Sequence, residues 1–357
     1  MKKILITTGG SGGHVIPAII LYEHLNSNYE VEIVSDLRGS KFIDKNLYNY
    51  QIIDTPNISK NIIFLPLSII LFFISLVKAF VLLKKNKIES IISTGGHMSL
   101  TFCVAAKMLK INIYLFEPNT VIGRSNKLML KFSKKIFCYH ENIINFPHKF
   151  KNKIVIIERL LRKDIYKFKK NTEKKSSYFK ILIIGGSQGA FFFDNVIKEV
   201  IKILSKKHQL HILQQASNEI EKNKIKENYD SLNINYQLFN FDQKLYQKIQ
   251  DIDLAITRSG ASALSELIYF NIPFLSIPFP HAKDNHQYYN AKYFSDLNCC
   301  WLLEQKKLDT NKILNLLLAI INDKNDYFEK KSNLKKISSQ NNWETINQKL
   351  ISTINEN

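Results

Sequence analysis

The densest chemistry in this chain lies in glycine loops that follow apolar runs. Gly9-Gly10-Ser11-Gly12-Gly13-His14 sets four glycines in five positions just ahead of a helical pattern. Such glycines let the backbone approach a ligand closely, and the helix beyond offers N–H groups and the positive end of its dipole. That suits phosphate or pyrophosphate. His14, where loop meets helix, can hydrogen-bond a substrate or move a proton, or it can simply cap the helix. Gly95-Gly96-His97 repeats the motif after another apolar run. Two such loops at neighbouring strand ends would make an anion pocket. Later, Arg258-Ser259-Gly260-Ala261 forms a tight loop, and Ser262-Ala263-Leu264-Ser265-Glu266 opens a helix. Small residues there leave backbone N–H groups open to a diphosphate. Glu266 can accept from two vicinal ribose hydroxyls, or it can merely complement the helix dipole. Pro278-Phe279-Pro280-His281 and His286-Gln287 follow. The prolines stiffen that loop, and Gln287 carries both donor and acceptor for sugar hydroxyls.

Several chemistries are excluded by the same residues. A GxGxxG fingerprint starting at Gly10 needs glycine at position 15, which is Val15, so Asp36 at the end of a second strand has no NAD loop to serve. A Walker loop needs lysine after Gly13, where His14 stands. Asp251-Ile252-Asp253 looks like the metal-binding DxD of some sugar transferases, but it directly precedes a buried strand. No acidic or histidine cluster has metal-ligand spacing, and no GxSxG elbow exists, so neither a metal nor a cofactor is expected. Cys103, Cys138, Cys299 and Cys300 form no CxxC pair, which points away from disulfides and zinc and towards a reducing cytosol.

The elements that position these loops are legible. At 357 residues, 45% hydrophobic and 23% charged, the chain is long and apolar enough for two folded domains. Lys3–Gly13 and Lys180–Gly189 repeat one pattern of β-rich run, glycine loop and helix. Each opens a βαβ unit, so the reading is α/β with two Rossmann-like domains. Val31–Ser35, Ser90–Ser93, Ile111–Phe116, His211–Gln214, Leu254–Thr257 and Phe274–Ile277 read as buried strands. The lysine-rich stretch 163–180 holds the linker near its start, giving domains 1–162 and 163–340, with a tail helix over 341–357 that can pack on either. The N-terminus meets glycine within nine residues, too early for a signal peptide. Ile62–Leu83 carries one charge, Lys78, and is long enough to span a bilayer. A span would separate the first glycine loop from Ser90–Ser93, which should share its sheet. The expectation is therefore a buried or membrane-touching helix of the soluble fold. Net charge is +19, from 50 Lys and Arg against 31 Asp and Glu. That suits an anionic partner or reflects a lysine-rich composition throughout.

Taken together, Gly9–His14, Gly185-Gly186-Ser187-Gln188-Gly189-Ala190, Arg258–Glu266, and His286-Gln287 with Asn290-Ala291 resemble the MurG family in order and spacing over nearly the whole chain. The resemblance implies a glycosyltransferase B fold, with the active site in a cleft between domains. It implies an inverting transfer of N-acetylglucosamine from UDP-N-acetylglucosamine, held by the C-terminal domain. The acceptor would be the 4-hydroxyl of undecaprenyl-pyrophosphoryl-N-acetylmuramyl pentapeptide, held by the N-terminal domain. Binding positions carry over to Ser11, Gly12, Gly13, Asn119, Arg162, Ser187, Ala261, Ser262, Ala263, Leu264, Ser265, Glu266 and Gln287. His14 is the family's favoured group for activating the acceptor, with Glu117 as a rival. Three positions depart from the family pattern: Glu158-Arg159-Leu160-Leu161 before Arg162, His97 after the middle Gly-Gly, and Pro118 before Asn119. Family members sit peripherally on the cytoplasmic face of the membrane. Here Arg124, Lys127, Lys131 and Lys134, at helical spacing beside Ile62–Leu83, would face an anionic bilayer. No helix-turn-helix or basic-aromatic pattern favours nucleic acid. Two other readings are a UDP-N-acetylglucosamine 2-epimerase of similar fold and a non-catalytic basic membrane-binding protein.

Overall fold

The computed structural model describes residues 1–55, 65–168 and 177–356. The chain divides into two units, Met1–Lys163 with Asn342–Asn357, and Asp164–Asn341. Part of the 163–180 linker and the first residues of Ile62–Leu83 lie outside the described residues.

In the first unit the strands are β1 (Lys3–Thr7), β2 (Glu30–Ser35), β3 (Tyr50–Ile52), β4 (Ser90–Ser93), β5 (Asn112–Glu117), β6 (Lys135–Cys138) and β7 (Ile154–Ile156). They pair all parallel in the order β3-β2-β1-β4-β5-β6-β7. Parallel strands carry helices on both faces, which is why runs such as Ile4-Leu5-Ile6 and Ser90-Ile91-Ile92-Ser93 are buried throughout. Those helices are α1 (Gly12–Leu25), α2 (Leu65–Lys85), α3 (His97–Met108) and α4 (Arg124–Met129). Strand order reverses between β1 and β4, the switch point where such sheets open a crevice at the strands' carboxyl ends.

The second unit repeats the plan with β8 (Phe179–Ile184), β9 (Leu210–Gln215), β10 (Asn235–Phe239), β11 (Leu254–Thr257), β12 (Phe274–Ser276) and β13 (Cys300–Leu302). The order β10-β9-β8-β11-β12-β13 puts its switch point between β8 and β11. Helices α5 (Gly186–Leu204), α6 (Glu219–Ser231), α7 (Ala261–Tyr269), α8 (His286–Asp296), α9 (Thr310–Asn322) and α10 (Lys324–Ser338) cover it.

The tail forms α11 (Trp343–Asn355) and belongs to the first unit. Ile346, Leu350 and Ile354 lie in one cluster with Ile4, Val15 and Ile19, and the Tyr114 hydroxyl donates to the Ile354 carbonyl at 3.2 Å. The Trp343 ring stacks on buried His24 with centroids 3.5 Å apart. Asn342 caps the helix by accepting from the Glu344 and Thr345 N–H groups.

Two expectations change. Helix α2 is not a core helix along its length: only 28% of its most apolar stretch is buried. Ser68, Ser75, Ala79, Leu82 and Leu83 form the inward stripe, with Ala79, Leu82 and Leu83 in the cluster that also holds α3 residues. Leu67, Ile70, Phe73, Ile74, Val77 and Val81 recur every three to four residues on the other side and are exposed. The cationic stripe is not one helix either. Helix α4 ends at Met129, and the Lys134 N–H bonds to the Ile113 carbonyl of β5 instead of continuing a helical ladder. Arg124, Lys127, Lys131 and Lys134 are nonetheless all exposed. Lys131 and Lys107 both lie over the Phe132 ring, at 4.5 and 5.3 Å, so they share one surface.

Candidate functional site

In the first unit the glycine loop leaves β1 at the switch point and is fastened by Asp36, just past β2. Asp36 is buried, and its Oδ1 accepts the N–H groups of Gly10 and Gly39, each at 2.8 Å, while Arg38 reaches Oδ2 at 3.2 Å. A Cβ on Gly9 would come within 3.0 Å of that carboxyl, and Gly10 takes φ +83°. The acidic residue that would hold ribose in a dinucleotide fold is thus turned onto the loop itself. Ser11 stands at the N-cap of α1 with its side chain exposed, and Gly12 and Gly13 supply first-turn N–H groups that the helix cannot pair internally.

His14 is the third residue of α1, and its Nδ1 lies 2.8 Å from the Thr94 carbonyl oxygen. A carbonyl can only accept, so Nδ1 carries the proton and Nε2 is the basic nitrogen of the neutral ring. The ring rests on the second glycine pair. A Cβ on Gly95 would lie 3.2 Å from its Cε1, and one on Gly96 would lie 3.2 Å from the Gly9 carbonyl oxygen. Both glycines also take positive φ, +91° and +86°. Gly95-Gly96 is therefore explained by bedding His14, not by the close approach of a second anion.

Glu117 ends β5 and is buried with its oxygens fully engaged. Oε1 accepts from the Asn119 N–H (3.2 Å) and Nδ2 (3.0 Å), and Oε2 from the Gly123 N–H (2.6 Å) and Asn126 Nδ2 (3.0 Å). A carboxylate holding four donors is a brace for the loop that carries Asn119 and Gly123, which leaves its expected role as a base without an open lone pair. Arg162, half-buried after β7, lies within electrostatic reach of Tyr48, whose hydroxyl donates to Glu23 at 2.8 Å.

The second unit builds its switch point from three loops. Gly186 takes φ +66°, and its N–H donates to Gln215 Oε1 at 3.1 Å, while Gln215 Nε2 donates to the Asn240 carbonyl at 2.8 Å. That chain of bonds ties Asn240, the residue before exposed Phe241, to the glycine loop. The Ser187 side chain lies outside the described residues. At α7, capped by Gly260, the N–H groups of Ala261, Ser262 and Ala263 have no partner inside the helix. The Leu264 N–H already bonds to the Gly260 carbonyl, the Leu264 side chain is core, and Ser265 Oγ donates to the Ala261 carbonyl at 2.9 Å. Of the six positions 261–266, the first three thus offer backbone, half-buried Glu266 offers a carboxylate, and Leu264 and Ser265 offer no side chain to a ligand. Gln287 is narrower than its residue type suggests. Its Oε1 accepts the Phe279 N–H at 2.9 Å and pins the proline loop, so the amide NH2 is what it can offer a sugar.

Sequence reasoning missed the braces. Arg258, quoted above only as part of its loop, is buried and donates to the Ile277 and Pro278 carbonyls at 2.8 and 3.1 Å. Burial pulls its guanidinium down to about 10. The Ser259 and Ser276 hydroxyls bond to each other, and Asn290 Nδ2 donates to the Ser259 carbonyl at 3.0 Å. Asp251 and Asp253 sit at the other ends of the strands: Asp251 pairs with the Lys180 ammonium, and Asp253 accepts the Lys180 N–H at 2.8 Å. They tie down the start of β8. Among the described residues no group of three or more His, Cys, Asp or Glu could hold a metal.

Comparison with known proteins follows this division. Residues 4–138 match the glycosyltransferase family 28 N-terminal domain, and residues 180–346 match its C-terminal domain. A UDP-N-acetylglucosamine–N-acetylmuramyl-(pentapeptide) pyrophosphoryl-undecaprenol N-acetylglucosamine transferase of Pelagibacter ubique is 49% identical over 100% of this chain and 99% of its own. The enzyme of the same name from Rickettsia canadensis is 38% identical over 90% of this chain and 92% of its own. The crystal structure of Acinetobacter baumannii MurG superposes with a TM-score of 0.78 at 20% identity, covering 100% of both chains, a likeness of fold. The two parallel sheets are those of the two-domain glycosyltransferase B fold, and the chain belongs to the MurG family of glycosyltransferases.

Proposed function

We propose that this chain transfers N-acetylglucosamine from UDP-N-acetylglucosamine to the 4-hydroxyl of undecaprenyl-pyrophosphoryl-N-acetylmuramyl pentapeptide, making the lipid-linked disaccharide of peptidoglycan synthesis. The second unit takes the donor. First-turn N–H groups of α7 receive the diphosphate, Glu266 the ribose, the Gln287 amide the sugar, and exposed Phe241 a face of the uracil. The first unit takes the acceptor, its pyrophosphate at Ser11, Gly12 and Gly13. The contact that carries this reading is His14 Nδ1 to the Thr94 carbonyl, because it leaves Nε2 basic next to an anion loop. In the transfer, the acceptor oxygen bonds to the anomeric carbon with inversion, the bond from that carbon to the β-phosphate oxygen breaks, and the acceptor's proton passes to His14 Nε2. UDP departs with the electron pair. Glu117 holds the Asn119 loop in place and takes no proton.

We place the enzyme at the cytoplasmic membrane face, where its acceptor lies. The exposed apolar side of α2 would enter the interface, and Arg124, Lys127, Lys131 and Lys134 would face anionic headgroups. The test is UDP release from UDP-N-acetylglucosamine, with and without a short-chain analogue of the lipid-linked acceptor. Release that requires the acceptor and yields a β-1,4 disaccharide is expected. Release at the same rate without acceptor overturns the acceptor assignment and favours epimerase-like chemistry on the donor alone.

A further inference from the structure

Three loops carry the donor side of the second unit: the start of α5, the β11–α7 turn, and the proline loop after β12. One side chain touches all three. The Arg258 backbone belongs to the β11–α7 turn, and its N–H bonds to the Ile184 carbonyl at the end of β8. Its guanidinium donates to the Ile277 and Pro278 carbonyls, the two residues that lead into the proline loop. Its carbon lies 5.4, 4.8 and 5.6 Å from the ring centroids of Phe192, Phe193 and Phe279. Phe192 and Phe193 are on the second turn of α5, and Phe279 is the residue whose N–H is accepted by Gln287.

A cation with 4% exposure is an expensive way to fill space, since burying a charge costs far more than burying a leucine of similar bulk. What an apolar side chain could not do is bond two successive carbonyls while holding a positive charge among three aromatic rings. The guanidinium bonds both carbonyls through Nη1 while its delocalised charge lies among three rings, whereas an ammonium is a compact, strongly hydrated point charge. The geometry points to Arg258 as the positioning residue of the donor site: it sets α5, the first turn of α7 and the Gln287 loop in register without touching the nucleotide. This inference rests on the donor assignment given above.

The test uses the full-length chain with Arg258→Lys, which keeps the charge and loses the planar fork. UDP affinity is measured by calorimetry, donor and acceptor KM by steady-state kinetics, and folding by thermal melt. For R258K we expect UDP Kd and donor KM to rise about tenfold or more, with acceptor KM within about twofold. A merely structural role would lower the melting temperature and the active fraction but leave both KM values alone. Phe279→Leu thins the aromatic wall and keeps the carbonyl contacts. It should raise UDP Kd by about threefold, and it serves as the readout if R258K does not fold. UDP Kd within twofold of the parent in folded R258K, or in F279L where R258K does not fold, overturns the role of Arg258. Failure of the unaltered protein to bind UDP overturns the donor assignment itself.

Discussion

His14 owes its tautomer to a carbonyl and its position to two glycines, so its chemistry is separable from its packing. His14→Ala should cut turnover by roughly 10²–10⁴. A loss below about fivefold in steady-state assays would make the residue a packing group that ties α1 to the Thr94 carbonyl. Glu117 makes the contrary prediction. Glu117→Gln replaces an acceptor oxygen with an NH2 that must face Asn126 Nδ2 and the Gly123 N–H, or else the Asn119 donors. It should destabilise the fold by about 1–3 kcal/mol in urea melts, and the folded fraction should lose far less turnover than His14→Ala. A loop whose conformation follows from its own composition was legible in the sequence, as at Gly9–His14. The bracing contacts of Asp36, Gln215 and Arg258 were not, because their partners are chosen by strand order. Asp36 meets Gly10 only because β2 lies beside β1, 26 residues away in the chain. Nothing in the local sequence of Asp36 distinguishes a loop brace from a ribose ligand.

Among the elements, buried strands such as Ser90–Ser93 and Leu254–Thr257 announced themselves as apolar runs and stand at those bounds. The edge strands were not legible. Tyr50–Ile52 and Asn235–Phe239 are half-solvated and polar, and they become strands only because a neighbour already offers a ladder. The tail helix was visible in sequence, but its docking was not, since only the fold shows Trp343 stacked on His24. That stack makes acid sensitivity an element-scale property. Burial drives the His24 imidazole down to about 3 from 6.5, so between those values the unfolded chain takes a proton that the folded unit refuses. Stability is therefore whole above pH 6.5 and falls as pH drops towards 3, by up to about 1.4 kcal/mol per pH unit. His140, lowered to about 4, and His211, also lowered, add to the slope. In a Trp301→Phe background, Trp343 fluorescence reports the first unit. His24→Phe should narrow the gap between urea midpoints at pH 7 and pH 5, and an unchanged gap would remove His24 as its source.

For the whole molecule, the excess of basic residues acquires a direction where Arg124, Lys127, Lys131 and Lys134 stand exposed in the unit that also shows the apolar side of α2. Sedimentation with phosphatidylglycerol vesicles should carry the protein down, and neutral vesicles or high salt should carry down less. Phe73→Glu with Val77→Glu changes two side chains that already face out, so folding should hold while vesicle affinity drops by about tenfold or more. Equal sedimentation of the double variant would mean that α2 does not enter the interface.

The return of α11 to the first unit has a consequence for synthesis. Residues 164–341 leave the ribosome as one continuous stretch and can close their core as soon as they are out. The first unit cannot, because Ile346, Leu350 and Ile354 of its core are translated after the whole of the second. During that interval its strands β1 to β7 have all been made but stand without α11, and the apolar side of α2 has already emerged. The unit made first is finished last, and a chaperone or the membrane has the length of the second unit's translation in which to meet it.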